Sequence, residues 1–135
     1  IMLKKTITYT DYNGVKKTED FYFNLTNAEI AEMEMSTTGG MTDMIEKIVK
    51  AQDVPAIIKV FKELILKAYG EKTPDGKYFM KEDENGRPLA NKFKQTEAYS
   101  NLFMELGSDA EKAADFFNKI IPSAPKKTTG TKTNK

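Results

Sequence analysis

The sequence predicts an α+β fold: an N-terminal β-hairpin packed on a bundle of about five helices over residues 1–122, with a disordered tail over residues 123–135. Three observations predict it. Two β-branched and aromatic runs flank Asn13-Gly14, a strong short hairpin signal. Beyond Leu25, apolar residues recur at helical spacing behind Ser/Thr-x-x-Glu starts. From Ser123 the chain reads SAPKKTTGTKTNK, with no Leu, Ile, Val or Phe, too little apolar surface to offset its ordering entropy. At 135 residues a single domain over 1–122 is expected.

Leu3 to Thr10 forms the first expected strand, and Asp11-Tyr12-Asn13-Gly14 the turn, with type I′ geometry expected at Asn13-Gly14. Val15 to Leu25 is the second strand, with Phe21 and Phe23 on one face and Tyr22 and Asn24 on the other. Thr26-Asn27-Ala28-Glu29 reads as a capping box for a first helix, which Gly39-Gly40 ends. A second helix spans about Met41–Gln52 on a stripe of Met44, Ile45, Ile48 and Val49. Asp53 followed by Val54-Pro55 starts a third, about Val54–Tyr69, apolar over more than one stripe and so the expected centre of the core. Gly70 closes it. Glu71 to Pro88 is polar, with a turn at Pro74-Asp75-Gly76 and room for a short strand at Lys77–Met80. A helix over about Pro88–Leu106 carries a break near Thr96. Ser108-Asp109-Ala110-Glu111 reads as a capping box for the last helix, with Ala113, Phe116, Phe117, Ile120 and Ile121 as its apolar residues before Pro122.

Composition excludes much chemistry. Cys, His and Trp are absent, which removes disulfides, thiol nucleophiles, imidazole bases and the usual structural zinc ligands. Subtracting the four tail lysines leaves 17 basic against 20 acidic residues in the first 122, the wrong sign for a phosphate footprint, so no nucleic-acid partner is expected. The start Ile1-Met2-Leu3-Lys4-Lys5 turns polar at once, and no apolar run approaches the length of a membrane span, so a cytoplasmic protein without membrane contact is expected. Glu71-x-Thr73-x-Asp75-Gly76 with Glu82 carries the rhythm of a calcium loop, but Glu at position 1 and Pro at position 4 make a plain surface turn the better reading. Glu29, Glu32, Glu34 and Glu82-Asp83-Glu84 read as solvated faces rather than acid/base pairs. No catalytic residue, cofactor site or metal site is expected.

Seven Met accompany eight Phe and six Tyr. Met33, Met35, Met41 and Met44 cluster around Gly39-Gly40, and thioethers repack readily against flexible partners. Phe116 and Phe117 point about 100° apart on a helix, so one of them can leave the core. Filling an ordinary core is the alternative reading of all these side chains.

The ordered series Phe23-Asn24-Leu25-Thr26…Glu29-Ile30-Ala31-Glu32-Met33-Glu34, Ala68-Tyr69-Gly70…Asp75-Gly76…Phe79-Met80-Lys81, Phe93…Thr96-Glu97-Ala98-Tyr99…Glu105-Leu106 and Phe116…Ile120-Ile121-Pro122 resembles the tail assembly chaperones of long-tailed, siphovirus-type phages of Gram-positive bacteria, over residues 3–122. The resemblance implies a non-catalytic protein of the host bacterial cytoplasm, absent from the mature virion. It would bind the tape measure protein, keep that helix-rich chain soluble and help recruit tail tube subunits; self-association stays open. It also implies that a longer, frameshifted form can exist, with Lys126-Lys127 compatible with a slippery stretch. Helix-in-groove binding suits such a chaperone, and Met33, Met35, Met44, Phe116 and Phe117 are the expected partner-facing residues. The alternative is a small phage protein that binds and inhibits a host factor, which composition does not separate from the first.

Overall fold

The alternation of the first two runs is realised as β1 (Leu3–Thr10) and β2 (Lys16–Phe23), paired antiparallel from Leu3↔Phe23 to Thr10↔Lys16. The structure, a computed structural model, describes residues 2–36 and 38–120; the expected tail lies outside them. The turn is not the two-residue type I′ turn. Asn13 stays at negative φ, Gly14 N–H donates to Asp11 O at 2.9 Å, and Asp11 N–H donates to Val15 O at 2.8 Å. Asp11 Oδ1 accepts from the amides of Asn13 and Val15, both at 2.9 Å. Those two acceptor bonds favour a wider loop over a tight turn. The same pattern, Asp-x-Asn-Gly-x, recurs at Asp83–Arg87: Asp83 Oδ1 takes the amides of Asn85 at 2.8 Å and Arg87 at 3.0 Å.

The chain continues as α1 (Asn27–Ser36), α2 (Met41–Ala51), α3 (Val54–Ala68), β3 (Tyr69–Lys72), β4 (Phe79–Met80), α4 (Ala90–Phe93), α5 (Glu97–Gly107) and α6 (Ala110–Ile120). This is the expected α+β class, with five helices of ten residues or more and the single turn α4 among the described residues. The sheet is larger than a hairpin. It has four antiparallel strands in the order β1-β2-β3-β4, with Phe23 opposite Tyr69 and Glu71 opposite Met80.

β3 begins where α3 ends. Tyr69 is already extended at φ −64°, ψ 140°, so Gly70 is a strand residue rather than a helix stop. Its small size answers to a neighbour: a Cβ there would lie 2.5 Å from Phe79 Cε2 and 2.7 Å from the Met80 carbonyl oxygen. Gly70→Ala must push β4 away. The expected cost is about 1–3 kcal/mol, read as a lower midpoint in thermal or denaturant unfolding; an unchanged midpoint would show that β4 yields freely.

Local capping signals place most helix starts. Thr26 Oγ1 accepts from Glu29 N–H at 3.1 Å, and Thr26 N–H donates to Glu29 Oε1 at 2.9 Å, closing the box. Asp53 caps α3 through Ala56 N–H at 3.3 Å. Thr96 makes the break between α4 and α5, accepting from Tyr99 N–H at 3.1 Å. The box expected at Ser108 is displaced by one residue. Asp109 Oδ1 takes the amides of Glu111 and Lys112 at 3.0 and 3.2 Å, while Ser108 Oγ donates back to Met104 O at 2.8 Å. A carboxylate is the stronger acceptor at a helix start, and the hydroxyl is left to finish α5.

The sheet's inner face carries Leu3, Ile7, Phe21 and Phe23 onto the helices. α5 runs beside the edge strand β1 on one stripe of residues four apart. Glu97 accepts from Tyr12 OH at 3.1 Å, Asn101 Nδ2 donates to Thr8 O at 3.1 Å, and Glu105 pairs with Lys5 at 2.9 Å. This stripe shields an edge that could otherwise pair with another strand. The core centres on Phe23, whose ring meets Phe116 at 5.2 Å, Phe93 at 5.8 Å and Tyr69 at 5.9 Å. The C-terminal half of α3 supplies its buried residues, Phe61, Leu64, Ile65 and Ala68, with half-buried Val60 packed against them, whereas Ile58 is 46% exposed.

Candidate partner-binding cleft

The last carbonyls of a helix have no partner within it and need one elsewhere. Here the C-terminal ends of α3 and α6 meet at the link between β2 and α1. Ala68 O accepts from Asn24 N–H at 2.8 Å, and Ile120 O accepts from Leu25 N–H at 3.0 Å. Lys81, just past β4, completes the junction. Its ammonium group donates to Lys67 O at 2.7 Å, Asn24 O at 3.0 Å and Glu29 Oε2 at 2.9 Å, which uses all three N–H donors. A cation at the C-terminus of α3 also sits favourably in the helix dipole.

Glu29 therefore has two roles, capping α1 and pairing with Lys81. Burial pushes its carboxyl upward, but hydrogen bonds from the Thr26 amide and Lys81 outweigh that and hold it below the ordinary glutamate value. It is not the solvated carboxylate expected of the run Glu29, Glu32, Glu34.

This junction walls one side of a cleft of about 690 Å³. Met33 of α1, Met44 of α2 and Leu64 and Leu66 of α3 supply apolar lining, and Glu63, Lys67 and Glu82 supply charge. Gly39 and Gly40, at φ +80° and +92°, let the chain reverse between α1 and α2 and bring the two methionines to the same cleft. Tyr69 also lines the cleft. Its ring stacks on Phe93 at 4.2 Å, and burial, with Glu71 and Glu19 nearby, pushes its hydroxyl up to about 12.

The five residues singled out from sequence divide. Met33, only 9% exposed, and Met44, half-buried, share the cleft. Met35 is 80% exposed and does not line it. Phe116 is buried against Phe23, and half-buried Phe117 sets its ring edge-on to Phe61 at 5.0 Å. The side chains of Met41, Ile45, Ile48 and Val49 lie outside the described set. Sequence reasoning passed over Leu64 and Leu66 as core residues and missed Lys81. No local pattern marks a lysine whose carbonyl partner Asn24 is 57 residues away.

The polar turn that resembled a calcium loop joins β3 to β4. Asp75 Oδ1 accepts from Thr73 Oγ1 at 2.6 Å and from Lys77 N–H at 3.0 Å, which commits that carboxylate oxygen to closing the turn. Among the described residues, no helix is long and apolar enough to cross a membrane.

No curated protein and no solved structure matches the chain. One family model does, and its match runs over residues 2–133. A match of that extent identifies the protein as a member of the phage tail assembly chaperone family.

Proposed function

We propose that this chaperone serves a long-tailed, siphovirus-type phage of Gram-positive bacteria by binding the tape measure protein, keeping its helical segments soluble and helping to recruit tail tube subunits. It performs no covalent chemistry, works in the host bacterial cytoplasm and leaves before the virion is complete. The observation that carries this reading is the cleft itself, where flexible thioethers of Met33 and Met44 lie beside Leu64 and Leu66 within a charged rim. That arrangement suits the apolar face of an amphipathic helix, because methionine adapts to varied side chains and the rim holds the helix's polar face. Met33 and Met44 are assigned to direct contact, Met35 to an extension of the contact along α1, and Phe116 and Phe117 to the aromatic core around Phe23 and Phe61.

The test is capture of a tape measure fragment by the wild type, Met44→Glu and Met35→Glu, with folding followed by circular dichroism. A charge inside the cleft is expected to weaken capture about tenfold or more, the effect of losing an interfacial anchor worth over about 1.4 kcal/mol. Met35→Glu should have a smaller effect. Equal capture by wild type and folded Met44→Glu would move the site off this cleft.

A further inference from the structure

We infer that the cleft has an occupant within the same polypeptide, the segment over residues 121–135, which docks there through Ile121-Pro122 and Lys126-Lys127 and yields when a partner arrives. Three observations carry this. The described chain ends at the cleft wall: Ile120 O lies 3.0 Å from Leu25 N, the adjacent Asn24 O lies 3.0 Å from Lys81 Nζ, and Lys81 and Glu29 both line the cleft. Ile120, the last described residue, is thus hydrogen-bonded to the same β2–α1 link whose Asn24 carbonyl holds the cleft-lining Lys81. The charges are complementary. Glu63 and Glu82 line the cleft and form no ion pair among the described residues; against them stands Lys67, a lining cation likewise outside the described ion pairs, so the lining keeps a net negative charge, whereas the segment holds four lysines and no acid. The reach is sufficient, because six residues beyond Ile121 span up to about 20 Å when extended.

The segment's composition suits a removable occupant. Ile121, Pro122, Ala124 and Pro125 can cover Met33, Met44 and Leu64, but they offer much less apolar surface than an amphipathic helix. Tethering compensates. A short flexible link gives an effective concentration of order 1 mM, so an intrinsic affinity of about 0.1–1 mM fills the cleft between about half and nine-tenths of the time. Removing the occupant should then raise the affinity for any competing ligand about two- to tenfold. That consequence rests on the proposed function, whereas the docking does not, so the two can fail separately.

The experiment uses the full chain, whose lack of cysteine allows one nitroxide label at Thr129→Cys. In methionine-methyl NMR at low salt, the label is expected to broaden Met33 and Met44 more than Met35 and Met104. Adding K126E and K127E should abolish that preference. Uniform broadening, or a preference that survives the charge reversal, overturns the docking. So does broadening that appears only when labelled chains are mixed with unlabelled, isotope-enriched chains, since that would mark a second copy as the occupant. In a separate capture assay the K126E/K127E chain should bind the tape measure fragment two- to tenfold more tightly. Unchanged capture, with the NMR preference intact, would confine the tail to the cleft without a competitive role and overturn the claim that it yields to a partner.

Discussion

Phe23→Ala is expected to be the most damaging single substitution considered, costing about 3–5 kcal/mol, the usual range for removing a buried aromatic side chain. Phe23 has no exposed surface and touches three other rings, Tyr69, Phe93 and Phe116, which come from β3, α4 and α6. No single neighbour can collapse into the space, because each is already held by other contacts, as Tyr69 and Phe93 are by their own stacking at 4.2 Å. A domain of this size has about 5–15 kcal/mol of net stability, so the variant should unfold at much lower denaturant concentration. Equilibrium denaturation with a measured slope is the check. A loss under about 1 kcal/mol would mean that the helices repack around the gap, and the hub would then be less rigid than its ring geometry implies.

Breaking the Lys81 junction should rank second. Lys81→Met keeps the length of the stem but removes three hydrogen bonds, leaving Lys67 O and Asn24 O without that donor and Glu29 without its cation. Lys81 and Glu29 are both about a quarter exposed (24%), so water compensates in part. The expected cost is about 1–3 kcal/mol, below that of a fully buried pair. Glu29→Gln should cost less, since the amide oxygen can still accept from Thr26 and the ammonium group keeps its two carbonyls.

The pH dependence separates the ionic part. Glu29's carboxyl is depressed in the folded state, so its contribution is complete above the ordinary value of 4.5 and disappears as pH falls below it through the folded value. The stability gap between wild type and Lys81→Met should therefore be widest near neutrality and narrow on acidification. A gap independent of pH would assign the whole effect to the carbonyl contacts.

The parts of the fold legible in sequence are those whose energetics are local. Thr26 with Glu29, Asp53 and Thr96 each satisfy amides within three residues, and each starts a helix where expected. The β1–β2 pairing was legible from alternation around a Gly-containing turn. Where two local signals competed, sequence alone ranked them poorly. Asp11 drew the turn into a wider loop than Asn13-Gly14 suggests, and Asp109 rather than Ser108 took the cap.

Of the candidate site, the methionines were legible as adaptable side chains, but not that Met33 and Met44 share a cleft while Met35 stands outside it. β3 was invisible because Tyr69-Gly70-Glu71-Lys72 has no alternation and becomes a strand through its pairing with Tyr22-Phe23 and Phe79-Met80. By itself, then, the sequence determined the fold class, most helix starts, the hairpin and the absence of thiol and imidazole chemistry, all of which follow from residue identity or from interactions between near neighbours. The tertiary structure alone decided the four-stranded sheet, the burial of Phe116, the fate of Gly70 and the cleft walled by Lys81. These depend on backbone and side-chain groups that lie far apart along the chain, and only the folded packing makes them neighbours.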